Sequence, residues 1–264
     1  MPEISAREVK RLRDATGAGF MDAKRALTEN DGDFQSASNW LRQKGLSASG
    51  KRAGRQNVEG AVALARSGDA AALVELRSET DFVAKSPDFV DLVHELAQLV
   101  ADKGEDALSD RAGAIDDLKV ALKENIELGR VARLDTGNGN VVDSYLHVQN
   151  ERGKNGVLVE LSGGDEELAH DVAVHIAFAR PQYIAREDVP EAEVGPERQL
   201  IEAQAREQGK PEQALAKIIE GRLTGWFKER CLLEQSFVKD EKRTVKEVLG
   251  DATVVRFSQV EIGG

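Results

Sequence analysis

The 264-residue chain has a single cysteine, Cys231, which excludes an internal disulfide and a cysteine-ligated zinc site. One thiol fits a reducing compartment. Long hydrophobic runs are also missing: no apolar stretch approaches the ~18 residues that would suggest a membrane span, and the N-terminal MPEISAREVK has no apolar signal core. A cytoplasmic location, without export or membrane insertion, is therefore expected. Positive charge is in short supply. The net charge of −11 argues against a nucleic acid as the main partner, because phosphate binding needs a basic face. The deficit is uneven, with residues 1–60 holding 11 Lys or Arg against 8 Asp or Glu.

What is present at the start is helical. Ser5-Ala6-Arg7-Glu8 reads as a capping box, after which Val9, Leu12 and Ala15 share a face and Gly17 is a stop. Phe20–Leu27 is a second helix burying Ala23, Ala26 and Leu27, and Asp31-Gly32-Asp33 is a turn and cap. Ala37, Trp40 and Leu41 mark a third helix, ended by Gly45. So small a bundle suggests a docking module. Leu46–Glu59 is rich in Ser, Gly and basic residues and reads as a linker.

Beyond it the pattern becomes mixed. Gly60–Arg66 and Ala71–Ser78 are strand-like around a Ser67-Gly68-Asp69 turn, and Ser86-Pro87 opens a helix carrying Phe89, Val93, Leu96, Ala97 and Val100. A second unit repeats this order with strands at Asp143–Val148 and Gly156–Leu161 and a helix at Asp165–Ala179. Both units contain the string LVEL, at Leu73–Leu76 and Leu158–Leu161. The expected class is α+β: a three-helix module (1–55), then two related core units (56–140 and 141–264) packed together. An antiparallel helical hairpin is inserted at about 191–229, broken at Gly209-Lys210-Pro211. The tail should add a short helix at Thr244–Leu249 and a strand at Val254–Ile262.

Chemistry-bearing motifs are few. Gly45–Lys51 matches most of a phosphate-binding loop, but Arg52 stands where a Ser or Thr should follow and no strand precedes it. The basic cluster Lys44, Lys51, Arg52 and Arg55 reads as a solvated linker face. His170 and His175 are five apart on one helix, which does not put two metal ligands on one face. No catalytic triad or acid–base pair is evident, so the chain is not expected to be an enzyme, and neither a cofactor nor a metal is expected. Ser78–Val83 has two readings. It is either a short turn capped by Ser78 and Asp81 with Phe82 in the core, or an aromatic wedge presented to a partner beside a carboxylate.

Leu12–Leu27 (LRDATGAGFMDAKRAL) and Glu75–Lys85 (ELRSETDFVAK) resemble the two signature segments of the elongation factor Ts family. Shorter matches follow at Ser144–His147, His175–Ala177, Gly209–Pro211, Glu220–Arg222, Gln235–Val238 and Arg256-Phe257. The resemblance implies a module similar to ubiquitin-associated domains, a two-part core and a helical hairpin. It implies a guanine-nucleotide exchange factor that binds the GTPase EF-Tu, displaces its magnesium and promotes GDP release. Thr80, Asp81, Phe82 and Val83 would be the intruding segment, with Arg13, Phe20, Met21, Lys24 and His147 as further contacts. The competing expectation is an interaction adaptor that works through the three-helix module alone.

Overall fold

The computed structural model describes residues 4–50, 54–135 and 139–263, with all their side chains except those of 46–49. Three helices open the chain: α1 (Ala6–Thr16), α2 (Phe20–Glu29) and α3 (Phe34–Gly50). The Ser5–Glu8 capping box is closed in both directions, and Gly17 ends α1 in the left-handed conformation at φ +66°. Asp33 Oδ1 accepts from the Ser36 N–H at 2.8 Å, as a cap should. Val9, Leu12, Ala23, Ala26, Leu27, Ala37 and Leu41 make a small core in which three of the seven buried residues are alanine.

The third helix does not end at Gly45. It continues to Gly50, so the expected linker is helical in its first part and the stretch resembling a phosphate loop lies largely within a helix. Lys51 and Arg52 lie outside the described residues. Gly45 serves close approach instead of termination: α3 crosses α6 (Ala112–Leu122) there, and a Cβ on Gly45 would stand 2.5 Å from Val120 Cγ1. Arg42 pairs with Asp117 at 2.9 Å across the same crossing.

The core is two three-stranded antiparallel sheets lying face to face. The first has the order β1 (Glu59–Ser67), β2 (Ala70–Ser78), β3 (Glu127–Asp135), and the second β4 (Val141–Gln149), β5 (Arg152–Ser162), β8 (Thr253–Glu261). Between β2 and β3 run the single turn α4 (Asp81–Ala84), the long helix α5 (Pro87–Lys103) and α6. Helix α5 covers the outer face of the first sheet with Phe89, Val93, Leu96 and Val100. Helix α7 (Glu166–Ala179) covers the second sheet with Ala169, Val172, Ala173 and Ile176. The inner faces meet through Val62, Leu73, Leu134, Val142, Leu158 and Val260. Strand β3 and helix α6 had no forecast; β3 is an edge strand whose alternation is blurred by Arg130 and Arg133.

The two LVEL strings occupy equivalent places, each in the central strand of its sheet. Leu73 and Leu158 face the layer between the sheets, while Val74 and Leu76, like Val159 and Leu161, face the covering helices. Each glutamate is buried and met by an arginine from the third strand: Glu75 by Arg130, with Arg77 bonding both of its oxygens, and Glu160 by Arg256 at 2.5 Å. Burial alone would raise both carboxyls. The bonds from Arg77 and the Arg130 N–H to Glu75, and from Asn140 and Arg256 to Glu160, outweigh it and hold both below the usual carboxylate range. In each sheet the pairing with the third strand slips beside this residue.

The sheets approach closely on the β5 side. A Cβ on Gly153 would lie 2.1 Å from the Val62 carbonyl oxygen, and one on Gly156 2.5 Å from Leu73 Cδ2. Between α7 and β8 the chain inserts the helical pair α8 (Glu191–Glu207) and α9 (Glu212–Arg230), then β6 (Ser236–Phe237), β7 (Asp240–Thr244) and α10 (Val245–Leu249). The α8–α9 seam buries Ile201, Ala205, Leu215 and Leu223, and Val189, Val194 and Cys231 pack at its base with Trp226 and Phe227. There Tyr183 bridges to Cys231, and the Tyr183 N–H bonds the Arg230 carbonyl at 3.1 Å. His175 is buried, with Nδ1 accepting from the Val238 N–H at 3.2 Å and Nε2 3.0 Å from Gln235 Oε1. That arrangement suits a neutral ring with its proton on Nε2, and burial lowers its pKa.

Two measurements test this packing. Gly153→Ala should cost about 3 kcal/mol, because the atom it strikes is backbone, whereas Gly221→Ala on open helix surface should gain roughly 0.5–1 kcal/mol. Denaturant melts showing the two variants alike would contradict the close approach. Burial pushes the Cys231 thiol up to about 11, and the side chain is fully enclosed. Its alkylation by iodoacetamide at pH 8 should run on the order of 100-fold or more slower than that of a free thiol, and become fast only on unfolding.

Candidate functional site: an outward-facing phenylalanine turn

Strand β2 ends at Ser78, whose buried hydroxyl donates to the Thr80 carbonyl at 3.0 Å and bends the chain out of the sheet. Thr80 then caps α4, its Oγ1 accepting from the Val83 N–H at 3.4 Å. The cap is therefore Thr80, not Ser78 or Asp81. Across one turn the side chains separate by environment. Ala84 is fully buried and Val83 partly buried against the α5 core, while Phe82 points away and is 82% exposed. The alternative that placed Phe82 in the core fails. On the far side, the Ser86 hydroxyl and N–H both donate to the Val83 carbonyl, at 2.7 and 2.9 Å, before Pro87 starts α5.

Asp81 lies beside Phe82 and is bonded by Lys85 at 2.5 Å; that contact holds its carboxyl below the usual carboxylate range. The turn thus offers an apolar ring and an anionic oxygen, with a cation one turn behind. It has no nucleophile poised by a base. Among the described residues, no three His, Cys, Asp or Glu side chains are grouped to hold a metal ion. The arrangement suits insertion into another surface rather than a reaction.

The structure gathers Thr80–Val83 into this one turn, but the other expected contacts lie elsewhere. Phe20, Met21 and Lys24 share the exposed face of α2, opposite the buried Ala23, Ala26 and Leu27; Met21 is 71% exposed. Arg13 is exposed on the last turn of α1, paired with Asp14 at 2.7 Å. His147 is on β4, an edge strand of the second sheet, with Nδ1 3.5 Å from the Tyr145 hydroxyl.

Sequence reasoning passed over the residues that hold the turn from behind. The Glu124 carboxylate takes the N–H groups of Glu79 and Thr80, both at 3.0 Å, and the Thr80 hydroxyl at 2.5 Å. Glu79 answers by accepting the Asn125 N–H at 2.7 Å and Arg55 Nη1 at 3.3 Å, and Asn125 Nδ2 reaches the Arg55 carbonyl at 3.1 Å. These partners are 24–70 residues apart in the chain, so no local pattern could reveal them.

Known proteins extend this picture. The family model described as Elongation factor TS matches residues 79–264, beginning one residue before the Thr80 cap. Elongation factor Ts of Acidothermus cellulolyticus is 47% identical over all of this chain and 99% of its own length. Those of Clavibacter sepedonicus and Thermobifida fusca are each 45% identical over all of this chain, covering 100% and 99% of theirs. With that identity sustained through the whole length, the chain belongs to the elongation factor Ts family, the nucleotide-exchange factors of translation elongation.

Proposed function

We propose that the chain binds EF-Tu in its GDP-bound and nucleotide-free states and opens the nucleotide site by inserting the Thr80–Val83 turn, with Phe82 as the wedge. The observation that carries this is the 82% exposure of a phenylalanine fixed on a one-turn helix. An exchange factor leaves the GDP/GTP equilibrium unchanged and must bind the nucleotide-free GTPase more tightly than the loaded one; nucleotide then weakens factor binding to the same degree. Burying Phe82 is worth ~1.5–3 kcal/mol, and ~1.4 kcal/mol is tenfold in affinity. If that burial needs a distorted GTPase, the wedge alone favours the empty state by roughly tenfold to a hundredfold. Asp81, anionic and beside the ring, would disturb the water and cation network that holds magnesium.

The remaining surfaces extend the contact. The three-helix module (1–55), similar to ubiquitin-associated domains, and the first core unit (56–140) would meet the nucleotide domain through Arg13, Phe20, Met21, Lys24 and the wedge. The second unit (141–264) would meet a β-barrel domain, with His147 at that surface. The chain itself contributes no nucleotide site, and it acts where EF-Tu acts, in the cytoplasm.

The test is release of fluorescent GDP from EF-Tu. Phe82→Ala should slow catalysed release about tenfold or more while its melting temperature stays within a degree or two of the parent, since no core contact is lost. Exchange at the parental rate in that variant would refute the wedge. Calorimetry of the isolated chain with GDP should give no binding isotherm.

A further inference from the structure

A four-residue helix cannot hold its own shape in water, because nucleating one turn costs more than its single set of bonds returns. Within the turn carrying Phe82, Lys85 and Ser86 bond the Asp81 carboxylate and the Val83 carbonyl, but at its start the Thr80 cap bond is long at 3.4 Å, and the fully buried anchor, Ala84, is small. That start is tied to the rest of the fold by Glu124, which takes two successive N–H groups and the capping hydroxyl. Because the Thr80 hydroxyl spends its proton on Glu124, its lone pairs are left to receive the Val83 N–H. The two roles reinforce each other. Glu124 is aimed there by Lys123, which ends α6 in the left-handed conformation at φ +59° and turns the chain toward the knuckle.

We propose that Glu124 is a positioning residue for nucleotide exchange: by clamping Glu79 and Thr80 it fixes the direction in which Phe82 leaves the surface. This rests on the reading of Phe82 as the wedge. The clamp orders the turn during folding, so that ordering is not charged against binding to the GTPase. Glu124 makes no claim on the partner itself. Its effect passes wholly through the turn.

A double-mutant cycle with fluorescent-GDP release from EF-Tu separates this from other roles. Glu124→Ala should slow exchange by about tenfold, and Glu124→Gln, which keeps one acceptor oxygen, should fall between it and the parent. Adding Glu124→Ala to Phe82→Ala should slow exchange by no more than about twofold beyond Phe82→Ala alone, because a misaligned wedge that is already absent cannot be lost again. Full multiplication of the two effects would overturn the proposal, placing Glu124's influence elsewhere. A parental rate in Glu124→Ala with slow exchange in Phe82→Ala would also overturn it, leaving the wedge intact; parental rates in both would remove the wedge reading itself. Melting curves accompany each variant, and if Glu124→Ala fails to fold, Glu124→Gln is judged by the same cycle.

Discussion

Between the sheets, Val62, Leu73 and Leu158 meet in a layer that admits Gly153 and Gly156 but no side chain at either place. That spacing decides much of the rest. Each central strand is covered on both faces, so β2 is buried along nearly its whole length and its side chains cannot serve as a contact surface. Polar groups that fall in this layer need partners. Glu75 and Glu160 obtain them from arginines of the third strands, and Arg152 reaches from β5 to the Gly60 carbonyl and Glu59. The sheets can therefore carry little function themselves, and what the molecule presents to others must leave them at their ends and edges.

The Phe82 turn is one such departure. It emerges where β2 stops, is tied to the segment just before β3 by the bonds Glu79 exchanges with Glu124 and Asn125, and is pinned inward by Ala84 against α5. An exposed aromatic on a loose loop would spend entropy on every encounter; on this base it spends little. The same short helix that delivers Glu124 also receives α3 at the Gly45–Val120 crossing. The module's outward Phe20 and Met21 and the turn's Phe82 are consequently referred to a common support, α6.

Much of the architecture was legible because it follows local rules. The Ser5 capping box, the Gly17 stop, the two-residue hairpin turn after Ser67 and Pro87 at a helix start all depend on neighbours in the chain. The LVEL repeat disclosed two related units because both copies meet the same alternation of inner layer and covering helix. Strand β3 escaped since an edge strand with Arg130 and Arg133 lacks clean periodicity. Gly45 misled for a different reason. A glycine that stops a helix and one that lets two helices touch look alike in sequence, and only Val120, 75 residues away, distinguishes them. The site divided the same way: Thr80–Val83 was visible as an unusual connection, whereas its Glu124 support is a long-range contact with no sequence trace.

The base of the inserted helical pair has a consequence for how the chain tolerates change in length. At Tyr183 and Cys231 the incoming and outgoing strands of chain are already bonded to one another, and Val194, Trp226 and Phe227 seal the junction. To the second sheet, everything between those residues is a detour whose two ends coincide. Adding or removing matched turns from α8 and α9 alters neither the distance β8 must travel to pair with β5 nor its register, and doubling such an excursion costs only about 0.6 kcal/mol in closure entropy. The pair is thus the segment free to drift in size while the sheets, fixed by Gly153 and Gly156, are not.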